Sequence, residues 1–136
     1  MDLSRNGTYS NMISILVDEA YAFDFLAILE IKYDYSKSQH ILEKILECKE
    51  HLKKQIGSEF LNLILNSKEY KEVLNANKET FNWVDKAKTD SCKASDVDRS
   101  NYKRCKARNT LQEKFFKKKK ISEVKFGYEA YGEKET

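Results

Sequence analysis

The chain has 136 residues, 25 Lys or Arg against 22 Asp or Glu, and a net charge of +3. That length suits one domain with a sizeable core, and a 40% hydrophobic share excludes general disorder although 35% of residues are charged. With no Pro and only four Gly, turn-rich β architectures give way to long helices joined by short connections.

Residues 1–10 are polar and read as a mobile segment ahead of a helical domain over 11–117. The most apolar stretch, MISILVDEAYAFDFLAILEIKYDY at 12–35, predicts the central helix. Its apolar stripe is Ile13, Val17, Ala20, Tyr21, Ile28, Ile31 and Tyr35, spaced by three, four and seven. Asp24 falls inside that stripe. A buried carboxylate needs a partner, so Asp24 predicts a donor on a facing helix.

Ser36 and Gln39 have capping-box spacing and predict a second helix to about residue 55. Its inner face is Ile41, Leu42, Ile45, Cys48, Leu52 and Ile56; Glu43, Lys44, Glu47 and Lys54 lie outside. Gly57 is the expected stop, and Ser58 the expected cap of a short helix carrying Phe60, Leu61, Ile64 and Leu65. Asn66 and Glu69 can open a third helix, to about residue 88, with Val73, Leu74, Asn77, Phe81 and Val84 on one side. Trp83, with Ala76, Thr80 and Ala87, points to a second contact. A fourth long helix spans about 93–117 along the line Val97, Asn101, Arg104, Arg108, Leu111 and Phe115. After Lys120 the period changes: Val124, Phe126, Tyr128 and Ala130 alternate with polar residues, as in a strand or extended arm, so 118–136 forms a basic run and C-terminal arm.

The expected fold class is all-α: an antiparallel, up-down bundle of three long helices and one short one around the first. Its inward positions gather Asp24, Asn77, Asp85, Asn101, Arg104 and Arg108. An Arg fork matches a carboxylate through two parallel hydrogen bonds, and Asn amides satisfy what remains. Two readings follow: a self-satisfied network that sets helix register, or the wall of an anionic pocket between helices.

Three stretches together resemble a small, uncharacterised all-helical family of marine bacteria and their phages. Its first motif is D-K-x-x-I-L-E-I-K, and residues 24–32 here read DFLAILEIK, with Phe25 in place of the lysine. Its second, L-W-x-I-E-D-x-I-R, is similar to TFNWVDKAK at 80–88, where Asp85 matches and the arginine is Lys88. Its third, V-Y-x-x-N-D-x-R-A-x-I-K, is similar to VDRSNYKRCKAR at 97–108, where Val97, Asn101 and Arg104 match and Arg108 keeps the final charge. The resemblance covers about residues 15–116. It implies a helical fold and marks Asp24, Asp85, Asn101 and Arg104. It implies no activity.

The segment 103–120 holds nine Lys or Arg against one acid, Glu113, a local charge of +8 that leaves −5 on the rest of the chain. Lys103, Lys106, Lys114, Lys117, Lys118, Lys119 and Lys120 are therefore candidate nucleic-acid contacts, with Phe115 and Phe116 beside them. Against this, lysines near a helix C-terminus suit the macrodipole and keep a surface soluble. Nucleic acid thus ranks below protein partners.

Cys48, Cys92 and Cys105 are widely spaced and odd in number, and read as reduced thiols of a cytoplasmic protein. His40 and His51, without CxxC or HxxxH, make no metal site, and no cofactor is expected. The first eleven residues lack the order of a signal peptide, and no apolar run reaches the roughly 20 residues of a membrane span. Without a catalytic triad or a Gly-rich phosphate loop, the sequence leans away from an enzyme. It points to a non-enzymatic interaction or scaffold protein, homodimeric through Trp83 and the tail. The alternatives are an anionic ligand at the Asp/Arg/Asn cluster, or nucleic acid through 103–120.

Overall fold

The computed structural model describes residues 13–116, which are all-helical apart from short connections. The helices are α1 (Glu19–Ser36), α2 (Gln39–Ile56), α3 (Ser58–Leu65), α4 (Lys68–Lys88) and α5 (Ala94–Phe115). The expected mobile segment 1–10, the basic run from Lys117 and the C-terminal arm lie outside the described residues.

α1 sits among α2, α4 and α5, and α4 and α5 form the most extensive pair. α1 begins seven residues later than the sequence predicts. Residues 13–17 carry β-branched Ile13, Ile15 and Val17, which are poor helix formers. Asp18 occupies the N-cap position without a side-chain cap bond. The acceptor comes from α5 instead: Gln112 Oε1 takes the Ala20 N–H at 2.9 Å, and Gln112 Nε2 donates to Glu19 at 2.9 Å.

The predicted stripe of α1 is displaced. Ile13 is 87% exposed, Val17 and Tyr35 are also exposed, and the buried positions are Ala20, Phe23, Asp24, Leu26, Ala27, Leu29 and Ile31. Apolar residues occur on nearly every side of this helix, so periodicity cannot choose one phase. Asp24 is buried all the same, at 3% exposure.

The capping box at Ser36 does not form, because Ser36 is the last residue of α1. Its hydroxyl donates to the Lys32 carbonyl at 2.9 Å and accepts the Ser38 N–H at 3.2 Å. Lys37 turns the chain in the left-handed region, φ 53°, and Ser38 precedes α2. The face of α2 is as expected: Ile45 and Leu52 are buried, and Ile41, Leu42, Cys48 and Ile56 are half-buried. Gly57 ends α2 at φ 88°, where an L side chain would be strained. Ser58 opens α3 rather than capping it. The cap of α4 is Ser67, not Asn66: Ser67 Oγ accepts the Tyr70 N–H at 3.1 Å and donates to the Ile64 carbonyl at 2.6 Å.

The main core joins Phe23, Leu26, Ala27 and Leu29 to Ile45, Leu52, Leu61, Ile64, Tyr70, Val73 and Leu111. Its aromatic edge brings Phe60 within 6.2 Å of Phe115 and 5.6 Å of Phe116, centroid to centroid. Tyr70 donates to Glu30 Oε1 at 3.0 Å. Burial, then the Glu30 charge and this hydrogen bond, push the Tyr70 phenol far above its usual range. The second face of α4 is engaged within the chain. Ala76 and Thr80 are buried and Trp83 is half-buried, its carbonyl accepting from Cys92 Sγ at 3.4 Å. Val84, expected in the core, is exposed. Among the described residues, no helix is long and apolar enough to cross a membrane.

Candidate functional site: an arginine cleft between helices

α5 places Asn101, Arg104, Cys105 and Arg108 on one face, at steps of three, one and three. α1 places Asp24 opposite them, and α4 adds Asn77. Asp24 Oδ1 accepts from Asn77 Nδ2 at 2.8 Å and from Arg104 Nε at 3.3 Å. Its Oδ2 accepts from Arg104 Nη2 at 2.7 Å and from Arg108 Nη1 at 3.4 Å. The carboxylate is thus held bidentately by Arg104, with two further donors behind it. Such a pair is strong when made and costly when broken, because the survivor keeps a desolvated charge.

The two arginines differ. Arg108 is buried, and its guanidinium lies 4.2 Å from the centroid of the Tyr21 ring, a cation–π contact. Arg104 keeps 28% of its side chain accessible. Both border a cleft of 290 Å³ with Asp24 and Asn101 on its polar side and Tyr21, Phe25 and Ile28 on its apolar side. Arg104 spends both its hydrogen bonds on Asp24 through Nε and Nη2. Its outer Nη1–Nη2 edge has no protein partner among the described residues. Asn101 is half-buried and makes no side-chain hydrogen bond among the described residues.

Of the six residues predicted to cluster, Asp24, Asn77, Arg104 and Arg108 are joined by hydrogen bonds, and Asn101 lines the same cleft. Asp85 does not belong. It is exposed and pairs with Lys88 at 3.7 Å. Eight residues beyond Asn77, it lies about 12 Å further along α4 at the helix rise. The sequence reading missed Gln112, buried at 1% exposure, although it continues the Arg104–Arg108 step of four. It also missed Phe25, which had no place in the stripe that holds its wall neighbours Tyr21 and Ile28.

The candidate nucleic-acid contacts are poorly disposed where they are described. Lys103 is exposed but pairs with Glu79 at 3.1 Å, and Lys106 lies 5.5 Å over the Tyr102 ring. Lys114 shares a shallow groove with Glu59 and Glu69. Phe115 and Phe116 are half-buried against Phe60, not presented for stacking on bases. Lys117, Lys118, Lys119 and Lys120 lie outside the described residues.

The three cysteines are free thiols, and burial raises the pKa of Cys48. No group of three or more His, Cys, Asp and Glu is placed to hold a metal ion among the described residues. No protein-family model, curated protein or solved structure matches the chain.

Proposed function

We propose that this chain is a cytoplasmic, non-enzymatic binding protein that holds a small anionic ligand in the Arg104 cleft. One observation carries the reading. Asp24 fixes Arg104 through two bonds, at 3.3 and 2.7 Å, while 28% of the arginine side chain stays accessible at the cleft. A guanidinium clamped on one edge has already lost its rotamer freedom, so a ligand meeting the other edge pays little to order it. The cleft has no histidine, and His40 and His51 are exposed on α2, which favours binding over acid–base chemistry.

The contacts of α1 with α5 support an up-down bundle. Ala20 meets Gln112 while Asp24 meets Arg104 and Arg108, so the two helices run antiparallel. The likeness to the marine bacterial and phage family enters the same proposal for Asp24, Asn101 and Arg104, which border one cleft; Asp85 stands apart from it.

The test is thermal unfolding of wild type and Arg104→Leu against a panel of anionic metabolites. A compound that raises the melting temperature of wild type alone supports the reading. A variant that melts far lower, with no compound shifting either protein, sinks it and leaves the cluster as scaffolding.

A second reading, contact with another protein or a second copy, is favoured by an exposed apolar run: Ile13, Ile15 and Leu16 are 87%, 74% and 98% accessible. Light scattering of wild type and Leu16→Asp separates it. A dimer that becomes a monomer supports this reading, and a wild-type monomer counts against self-association.

A further inference from the structure

The anion-binding reading names only a charge. Resting on that reading, we infer that the cleft takes a monocarboxylate carried on a flat apolar body, an arylacetate in its simplest form.

The first argument is the shape of the free donor edge. Asp24 occupies Arg104 side-on, through Nε and Nη2. The end-on edge that remains presents two parallel N–H groups, the spacing that matches both oxygens of one carboxylate. Asn101 sits one turn earlier on the same face, where its amide can serve a remaining lone pair.

The second argument is what the walls lack for a phosphate. Among the described residues, the cationic side chains lining the cleft are Arg104 and Arg108, and the Asp24 carboxylate lies among them. With Asp24 counted against the two arginines, the described wall carries a net charge of +1, which one monoanion neutralises.

The third argument is the opposite wall. Tyr21, Phe25 and Ile28 supply apolar surface, and Phe25 is 56% exposed. The 290 Å³ volume is roughly twice the ~150 Å³ cavity that accepts benzene. One ring with a short carboxylate arm fits.

The experiment is a calorimetric titration of the full chain with phenylacetate, phenylacetamide, acetate and inorganic phosphate. Phenylacetate is expected to saturate, with the amide and acetate weaker by about tenfold or more. Arg104→Gln and Phe25→Ala are each expected to weaken phenylacetate by a similar factor. Phe25→Ala alters an exposed position, so it keeps the test alive if the arginine variant fails to fold. N-acetylphenylalanine outcompeting phenylacetate supports the carboxylate assignment and traces it to a peptide C-terminus rather than a free acid. Phosphate binding better than phenylacetate, with loss in Arg104→Gln, overturns the monocarboxylate and leaves an anion cleft standing. Equal binding of phenylacetate and its amide, or no saturable binding of any probe at millimolar concentration, overturns both.

Discussion

On one side of α1, Phe23, Leu26 and Leu29 join Ile45, Leu52, Leu61 and Ile64 in an apolar cluster. On another, Asp24 meets Asn77, Arg104 and Arg108 through four hydrogen bonds. Asp24, Asn77 and Arg108 are buried like the apolar cluster and Arg104 is half-buried, but the two regions constrain the sequence differently. The apolar side asks for volume and shape, which several side chains can supply. The polar side asks for particular donors at particular angles, and each group depends on its partner remaining. A helix that needed only to be covered would be served by the first arrangement throughout. The second is retained beside a cleft, which is why the ligand is sought there.

Breaking the polar side should have the largest effect. Asp24→Ala leaves two guanidinium groups facing a desolvated gap, and we expect it to cost about 3–5 kcal/mol in chemical denaturation. A loss no larger than that of an ordinary surface substitution, within roughly 0.5 kcal/mol, would show that water already relieves the cluster.

The apolar side should respond to size rather than chemistry. Leu26→Ala, at a fully buried position, is expected to lose about 2–5 kcal/mol, whereas Leu26→Met should lose less than about 1.5 kcal/mol. If the methionine variant is as damaged as the alanine variant, the contrast between the two sides of α1 disappears.

The smallest effect sharpens the contrast through pH. Tyr70, buried and bonded to Glu30, has a folded-state pKa raised above its unfolded value. The folded chain therefore holds its proton more tightly, and this contribution is complete below about pH 10, the unfolded value. It is lost as pH rises further, at up to about 1.4 kcal/mol per pH unit. Denaturation of wild type and Tyr70→Phe should diverge in slope only above about pH 10. Parallel stability curves there would mean that the phenol ionises in place without resistance.

The legible parts of the sequence were those where a special residue or a clear charge contrast leaves one choice. Gly57 was readable as a stop because few other residues adopt φ 88°. The face of α2 was readable because its outer positions are charged, so only one phase fits. α1 was not readable in that way. It is apolar on nearly every side, and its start depends on Gln112, 92 positions away. Asp24, Arg104 and Arg108 were legible as a cluster because charges are rare on inward faces. Phe25 and Gln112 were not, since an apolar residue on an apolar helix and a glutamine among lysines carry no signal of their own.

Local pattern by itself determined the helical class, the stop after α2 and the need of Asp24 for a donor on a facing helix, because these follow from backbone freedom, periodicity and desolvation within a few residues. Only the tertiary structure decided that Asp85 stands outside the cluster and that Ala76 and Thr80 are buried within this chain. It also decided that Arg104, held by Asp24, borders a cleft whose other side is apolar. Each of these depends on where helices distant in sequence come to lie, and no short-range preference encodes that position.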